Sequence, residues 1–135
     1  MRILIIDDDD DVRTITKLSL GVVGGFDVLE AKDGPEGVET ALRQRPDLIL
    51  LDVMMPAMDG PQTLAALRTH PSTATIPVVF LTAKVMRSEI DLLTRLGATG
   101  VLSKPFDPMT LAAEVLSLSS SRIPSAASAP SLPCS

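Results

Sequence analysis

A chain of 135 residues has room for one domain with a buried core, and it needs no disulfide or structural metal to hold it together. Seventeen acidic residues against twelve basic ones leave a net charge of -5, which removes support for direct nucleic-acid binding, since that usually requires a basic face. The single cysteine, Cys134, excludes an internal disulfide, and no apolar stretch is long enough to cross a bilayer, so a soluble cytoplasmic protein without membrane contact is expected. Met1-Arg2 leads straight into the first apolar run, so no signal peptide is expected either.

Ile3-Leu4-Ile5-Ile6 is the first such run and stops at Asp7-Asp8. A helix opens at about Asp9 to Asp11 and carries Val12, Ile15, Leu18 and Val22 at helical spacing before Gly24-Gly25. Phe26-Asp27-Val28-Leu29-Glu30 reads as a weaker strand, and Gly34-Pro35 starts a second helix with Val38, Ala41 and Leu42 on one side. Leu48-Ile49-Leu50-Leu51 stops at Asp52, and Gly60-Pro61 starts a third helix with Leu64 and Leu67. Val78-Val79-Phe80-Leu81 stops at Thr82. A fourth helix fits Arg87 to Leu96 and ends at Gly97. Val101-Leu102-Ser103 stops at Lys104, and Asp107-Pro108 precedes a fifth helix with Leu111, Ala112 and Val115. Five strands alternating with five helices predict a doubly wound parallel α/β sheet with helices on both faces. Residues 1–120 form the domain, and the Ser/Ala/Pro-rich residues 121–135 are expected to be a disordered tail.

In a parallel sheet the carboxyl ends of the strands lie along one edge, where open α/β folds place their sites. Asp7, Asp8, Asp52, Thr82 and Lys104 each end an apolar run, so they are expected to converge there. Asp9, Asp10 and Asp11 have a plainer explanation as anions at a helix N-terminus. Several carboxylates in one crevice repel, and either protonate or gather a cation. Mg²⁺ suits such a donor set, because it takes oxygen ligands and pairs one or two carboxylates with phosphate oxygens. Taken singly, Thr82 reads as an ordinary strand-end threonine and Lys104 as a surface charge. His70 reads as a solvated residue at a helix end, Met54, Met55 and Met58 as loop packing, and Cys134 as inert.

Ile3-Leu4-Ile5-Ile6-Asp7-Asp8, Asp52-Val53-Met54-Met55-Pro56-Ala57-Met58-Asp59-Gly60, Leu81-Thr82-Ala83 and Lys104-Pro105-Phe106 occur in the order and spacing of a known family. On these motifs the chain resembles the receiver domain of two-component response regulators, from Arg2 to about Leu118. The resemblance implies a flavodoxin-like sheet of order 2-1-3-4-5. It also implies that Asp52 is the phosphoacceptor and that Mg²⁺, with Mn²⁺ as a substitute, is held by Asp8, Asp52 and the Met54 backbone carbonyl. Asp7 would act on the ion through water, and Lys104 and Thr82 would contact the phosphoryl oxygens. A cis bond between Lys104 and Pro105 belongs to the same expectation. The implied partners are a histidine kinase or phosphotransfer protein, and a downstream protein on the face of the fourth helix, fifth strand and fifth helix. A stand-alone signalling module, monomeric or weakly dimeric, is expected rather than an enzyme acting on a separate metabolite.

One position departs from the family pattern. Three residues before the lysine the family usually has an aromatic side chain that follows the threonine; here it is Val101. Output through backbone shifts near Lys84 to Ser88, or service as a phosphate relay, is the expected alternative to that coupling. Two other functions compete. A phosphorylation-independent adaptor has Val101 in its favour. A haloacid-dehalogenase-like phosphatase has the Asp8-x-Asp10-x-Val12 pattern in its favour, but leaves Asp52 without a role.

Overall fold

The computed structural model describes residues 1–83, 86–104 and 106–122, with the side chains of residues 119–122 left aside. Five parallel strands, β1 (Arg2–Ile6), β2 (Asp27–Ala31), β3 (Leu48–Asp52), β4 (Val78–Thr82) and β5 (Gly100–Ser103), form one sheet in the order β2-β1-β3-β4-β5. The helices are α1 (Asp10–Leu18), α2 (Gly34–Gln44), α3 (Gly60–Arg68), α4 (Arg87–Arg95) and α5 (Leu111–Arg122). The fold is therefore the flavodoxin-like one implied by the motifs.

Alternation within the strands builds two cores from one sheet. Leu4, Ile6, Ile49, Leu51, Val78 and Phe80 point to one face and pack with Ala41 of α2, Leu64 and Leu67 of α3 and Leu93 of α4. Ile3, Ile5, Leu48, Leu50, Val79 and Leu81 point to the other and pack with Leu20, then Leu111, Ala112 and Val115 of α5. Every residue of β3 and β4 is buried, which explains why their sequences show no polar alternation. Registers of Ile6 with Leu51, Asp52 with Leu81 and Thr82 with Ser103 bring the strand ends level.

Helix α1 differs from its expected shape. Its α-helical part ends at Leu18, and Ser19–Val23 continue as one π-helical turn. The stripe of Ile15, Leu18 and Val22 faces out, with Val22 77% exposed, while Thr16, Ser19 and Leu20 are buried. Hydroxyl groups make this burial cheap, because Thr16 Oγ1 donates to the Val12 carbonyl at 2.6 Å and Ser19 Oγ donates to the Pro108 carbonyl. Helix α5 also starts later than the Asp107-Pro108 signal suggested. Residues 108–110 form a turn tied by the Asp107 carboxylate to the Met109 amide at 2.9 Å, and Leu111 opens the helix. Of the expected tail, residues 121 and 122 belong to the end of α5 and residues 123–135 lie outside the described residues, as do Pro105 and, in the loop expected to shift, Lys84 and Val85.

Candidate functional site

Asp7 follows β1, and its position is fixed by the sheet and by its own side chain. Its amide donates to the Ala31 carbonyl at 3.2 Å. Its Oδ1 accepts from the Asp9 amide at 2.9 Å, and its Oδ2 accepts from Lys104 Nζ at 2.9 Å. Asp9 in turn caps α1 by accepting from the Asp11 and Val12 amides. Asp7 is fully buried, whereas Asp8 beside it is exposed.

Asp52 closes β3 and is 6% exposed. Its Oδ1 lies 3.1 Å from Lys104 Nζ and accepts weakly from the Met54 amide at 3.4 Å. Lys104 reaches both acids because its own amide donates to the Thr82 carbonyl at 2.8 Å, extending the β4–β5 pairing by one residue. Thr82, at the end of β4, is 3% exposed. One carboxylate oxygen each from Asp7, Asp8 and Asp52 falls within 4.8 Å of the others. The expected convergence is thus present, with the acids from β1 and β3 and the ammonium after β5 drawn into one crevice.

The loop from β3 to α3 must pass very close to Asp52. A Cβ on Gly60 would lie 2.5 Å from the Asp52 carbonyl oxygen and 2.8 Å from Val53 Cα, so glycine is required by contact here. Asp59 then starts α3 with a capping box, its carboxylate accepting from the Gln62 amide at 2.9 Å while Gln62 Oε1 accepts from the Asp59 amide. Met54 projects outward, 78% exposed, and Met55 packs into the core. His70 is exposed beyond α3, as its plain reading required.

Electrostatics follow from this crowding. Burial, then the Asp7 charge, pushes the Asp52 carboxyl up to about 6 against the opposing pull of Lys104. For Lys104, burial alone would lower the ammonium, but hydrogen bonds and charge from Asp7 and Asp52 outweigh it and leave the group raised. Three clustered carboxylates against this ammonium leave excess negative charge, and all the donors are hard oxygens. That chemistry fits a small divalent cation, with Asp8 offering the open side.

Arg13 was missed in reading the sequence. It donates through Nη1 to the Asp7 carbonyl at 2.7 Å, although it stands in the first turn of α1. A cation where the helix dipole favours anions was the available signal.

A family model described as the response regulator receiver domain matches residues 3–116. The chain belongs to that family of two-component signalling domains. It is 41% identical over 128 residues to the DNA-binding dual master transcriptional regulator RpaA of a Synechocystis strain, covering 93% of this chain and 53% of that protein. It is 42% identical over 119 residues to the response regulator PleD of Caulobacter vibrioides, covering 87% of this chain and 26% of that one. Among solved structures, the Vibrio cholerae chemotaxis response regulator CheY4 superimposes with a TM-score of 0.81 at 32% identity, over 87% of this chain and 97% of the other. The chain spans about half or less of the length of these two curated relatives, which lend no support to the stand-alone expectation.

Receiver domains are signalling domains that interact with histidine kinases or phosphotransfer proteins and bind Mg²⁺ through an acidic pocket. Membership removes the phosphatase alternative, and the geometry agrees. Asp10, its would-be second acid, is exposed on α1 and paired with Arg13. Among the described residues no helix is long and apolar enough to cross a membrane.

Proposed function

We propose that Asp52 accepts a phosphoryl group from a phosphohistidine, in a reaction that depends on Mg²⁺, and that the modified centre signals through protein contact. The observation that carries this reading is Lys104 Nζ bridging Asp7 Oδ2 at 2.9 Å and Asp52 Oδ1 at 3.1 Å, beside the exposed Asp8. A carboxylate oxygen of Asp52 attacks phosphorus, an O–P bond forms, and the P–N bond to the donor imidazole breaks with its electron pair leaving on nitrogen. Such a transfer needs positioning and charge neutralisation above all. Asp8, Asp52 and the Met54 carbonyl would hold the ion, which neutralises phosphoryl oxygens when bound. Lys104 is already poised at Asp52 and exchanges part of its pairing for a phosphoryl oxygen. Thr82, buried at the neighbouring strand end, offers its hydroxyl to another. Asp7, with both carboxylate oxygens engaged, holds the ammonium in place and acts on the ion through water.

The incoming dianion redistributes the bonds of Thr82 and Lys104, and loops beyond β4 and β5 follow. Val101 packs against the core on the side of α2, α3 and α4, without a ring to swing, so output through those loops is favoured over a threonine–aromatic relay. Met86 before α4 and Leu92 and Leu96 on and after it are exposed by 63%, 51% and 46%, and support contact on the α4–β5–α5 face.

Incubation with Mg²⁺ and acetyl phosphate tests the proposal. Intact mass spectrometry should show one labile phosphoryl adduct that maps to Asp52 and is absent from Asp52→Ala. Backbone amide resonances around Asp52 and Thr82 should shift with beryllofluoride and Mg²⁺. An adduct on another residue would refute Asp52 as the acceptor, and an unchanged spectrum would favour the phosphorylation-independent adaptor.

A further inference from the structure

Arg13 is the fourth residue of α1, yet its side chain is only 14% exposed. Its guanidinium has three anchors. Nη1 donates to the Asp7 carbonyl at 2.7 Å, Nη2 pairs with Asp10, and Nε lies 3.5 Å from Glu30 on β2. Glu30 is itself paired with Lys17 at 3.2 Å. We infer that Arg13 is a positioning residue for Asp8, and through it for divalent-cation binding at this centre; this rests on the reading of Asp8 as a ligand given above.

The link is the peptide unit between Asp7 and Asp8. It is planar, so the Asp7 carbonyl oxygen and the Asp8 Cα share one rigid plane. Holding that oxygen from α1 limits where the Asp8 Cα can go. The Asp7 amide is tied to β2 and the Asp9 amide to Asp7 Oδ1, so the backbone on each side of Asp8 is fixed while its side chain stays open. Outer groups that orient ligands in this way commonly matter for metal affinity. A guanidinium also suits three anchors in different directions, which an ammonium on a flexible stem does not reproduce.

A role through charge alone predicts the opposite sign, because a cation near the site repels a divalent ion and its removal would tighten binding. Isothermal titration of the full chain with Mg²⁺ separates the two. Arg13→Met should raise the dissociation constant on the order of 10-fold. Arg13→Lys, which keeps the charge, should stay weakened, and Glu30→Gln should shift the constant in the same direction by less. In the acetyl phosphate reaction, Arg13→Met should recover the wild-type rate at saturating Mg²⁺. Unchanged or tighter binding in Arg13→Met, or Arg13→Lys indistinguishable from wild type, overturns the inference. Should Arg13→Met fail to fold, Arg13→Lys and Glu30→Gln decide. Wild type that binds Mg²⁺ beside unaltered variants sinks the positioning role alone; wild type that binds none brings down the proposed function with it.

Discussion

Asp52 is held in a place that does not suit its charge. Its carboxyl is pushed from 3.8 up to about 6 in the folded protein by burial and by Asp7. Below pH 4 folded and unfolded chains both carry the proton. Between about 4 and 6 the unfolded chain releases it while the folded one retains it, so stability falls as pH rises through that window. Above 6 the penalty is complete, at up to about 3 kcal/mol. Asp52→Asn should therefore stabilise the metal-free protein, by an amount that grows from pH 4 to 6 and then levels. Urea unfolding followed by far-ultraviolet circular dichroism at several pH values measures this, and an advantage that shrinks with rising pH would refute it. Gly60 makes the complementary prediction. Gly60→Ala must move the Asp52 carbonyl, Phe80 or Val53, and should cost about 1–3 kcal/mol in the same unfolding experiment and weaken Mg²⁺ binding.

Residues of this centre were legible wherever a chemical group ended an apolar run. That rule placed Asp7, Asp8, Asp52, Thr82 and Lys104 at one sheet edge, and the structure puts them there. It gave no access to Arg13 or Ser19, whose partners are the backbone carbonyls of Asp7 and Pro108. A backbone carbonyl leaves no mark on residue identity, so such bonds are hidden from a single sequence.

Elements show the same division. Strands β3 and β4 were read correctly because burial on both faces leaves a continuous apolar run. Helix α1 was recognised from a stripe that turned out to face solvent. Its packed side uses Thr16 and Ser19, polar residues whose hydroxyls find carbonyls within the fold. Periodicity reports that a helix exists, and not always which side is buried. In the loop from β3 to α3, Ala57 has φ of 67° and the Met58 amide donates back to the Pro56 carbonyl at 2.7 Å, a tight γ-turn at an exposed position. That conformation strains a residue with a Cβ by about 1–3 kcal/mol, against roughly 0.5–1 kcal/mol of added unfolded-state freedom for glycine. Ala57→Gly should raise stability by about 1 kcal/mol, read as a higher urea midpoint with unchanged slope. At the next step, Asp59→Ala removes the capping box and should cost about 1 kcal/mol in that assay.

At the scale of the whole molecule, two apolar cores pack on the two faces of one sheet, and the buried acid of the centre sets against them a penalty that a cation can lift. Binding to the folded state alone adds about 2.7 kcal/mol at a free concentration one hundred times the dissociation constant. The melting temperature should rise with Mg²⁺ and return with a chelator, and the rise should be lost in Asp8→Asn. A melting temperature indifferent to Mg²⁺ would speak against the ion's place in this crevice.

Lys104 joins this centre from just beyond β5, a strand with no buried residue, hydrogen-bonded only to β4 among the described strands. Its pairing with Asp7 closes a gap of 97 residues. Fraying of one outer strand would release the counter-charge of two interior acids while the rest of the sheet stays shut. The acids at the middle of the molecule thus inherit the lifetime of its margin. Amide hydrogen exchange at Lys104, whose N–H is held by Thr82, gives a clock for how long the counter-charge stays seated.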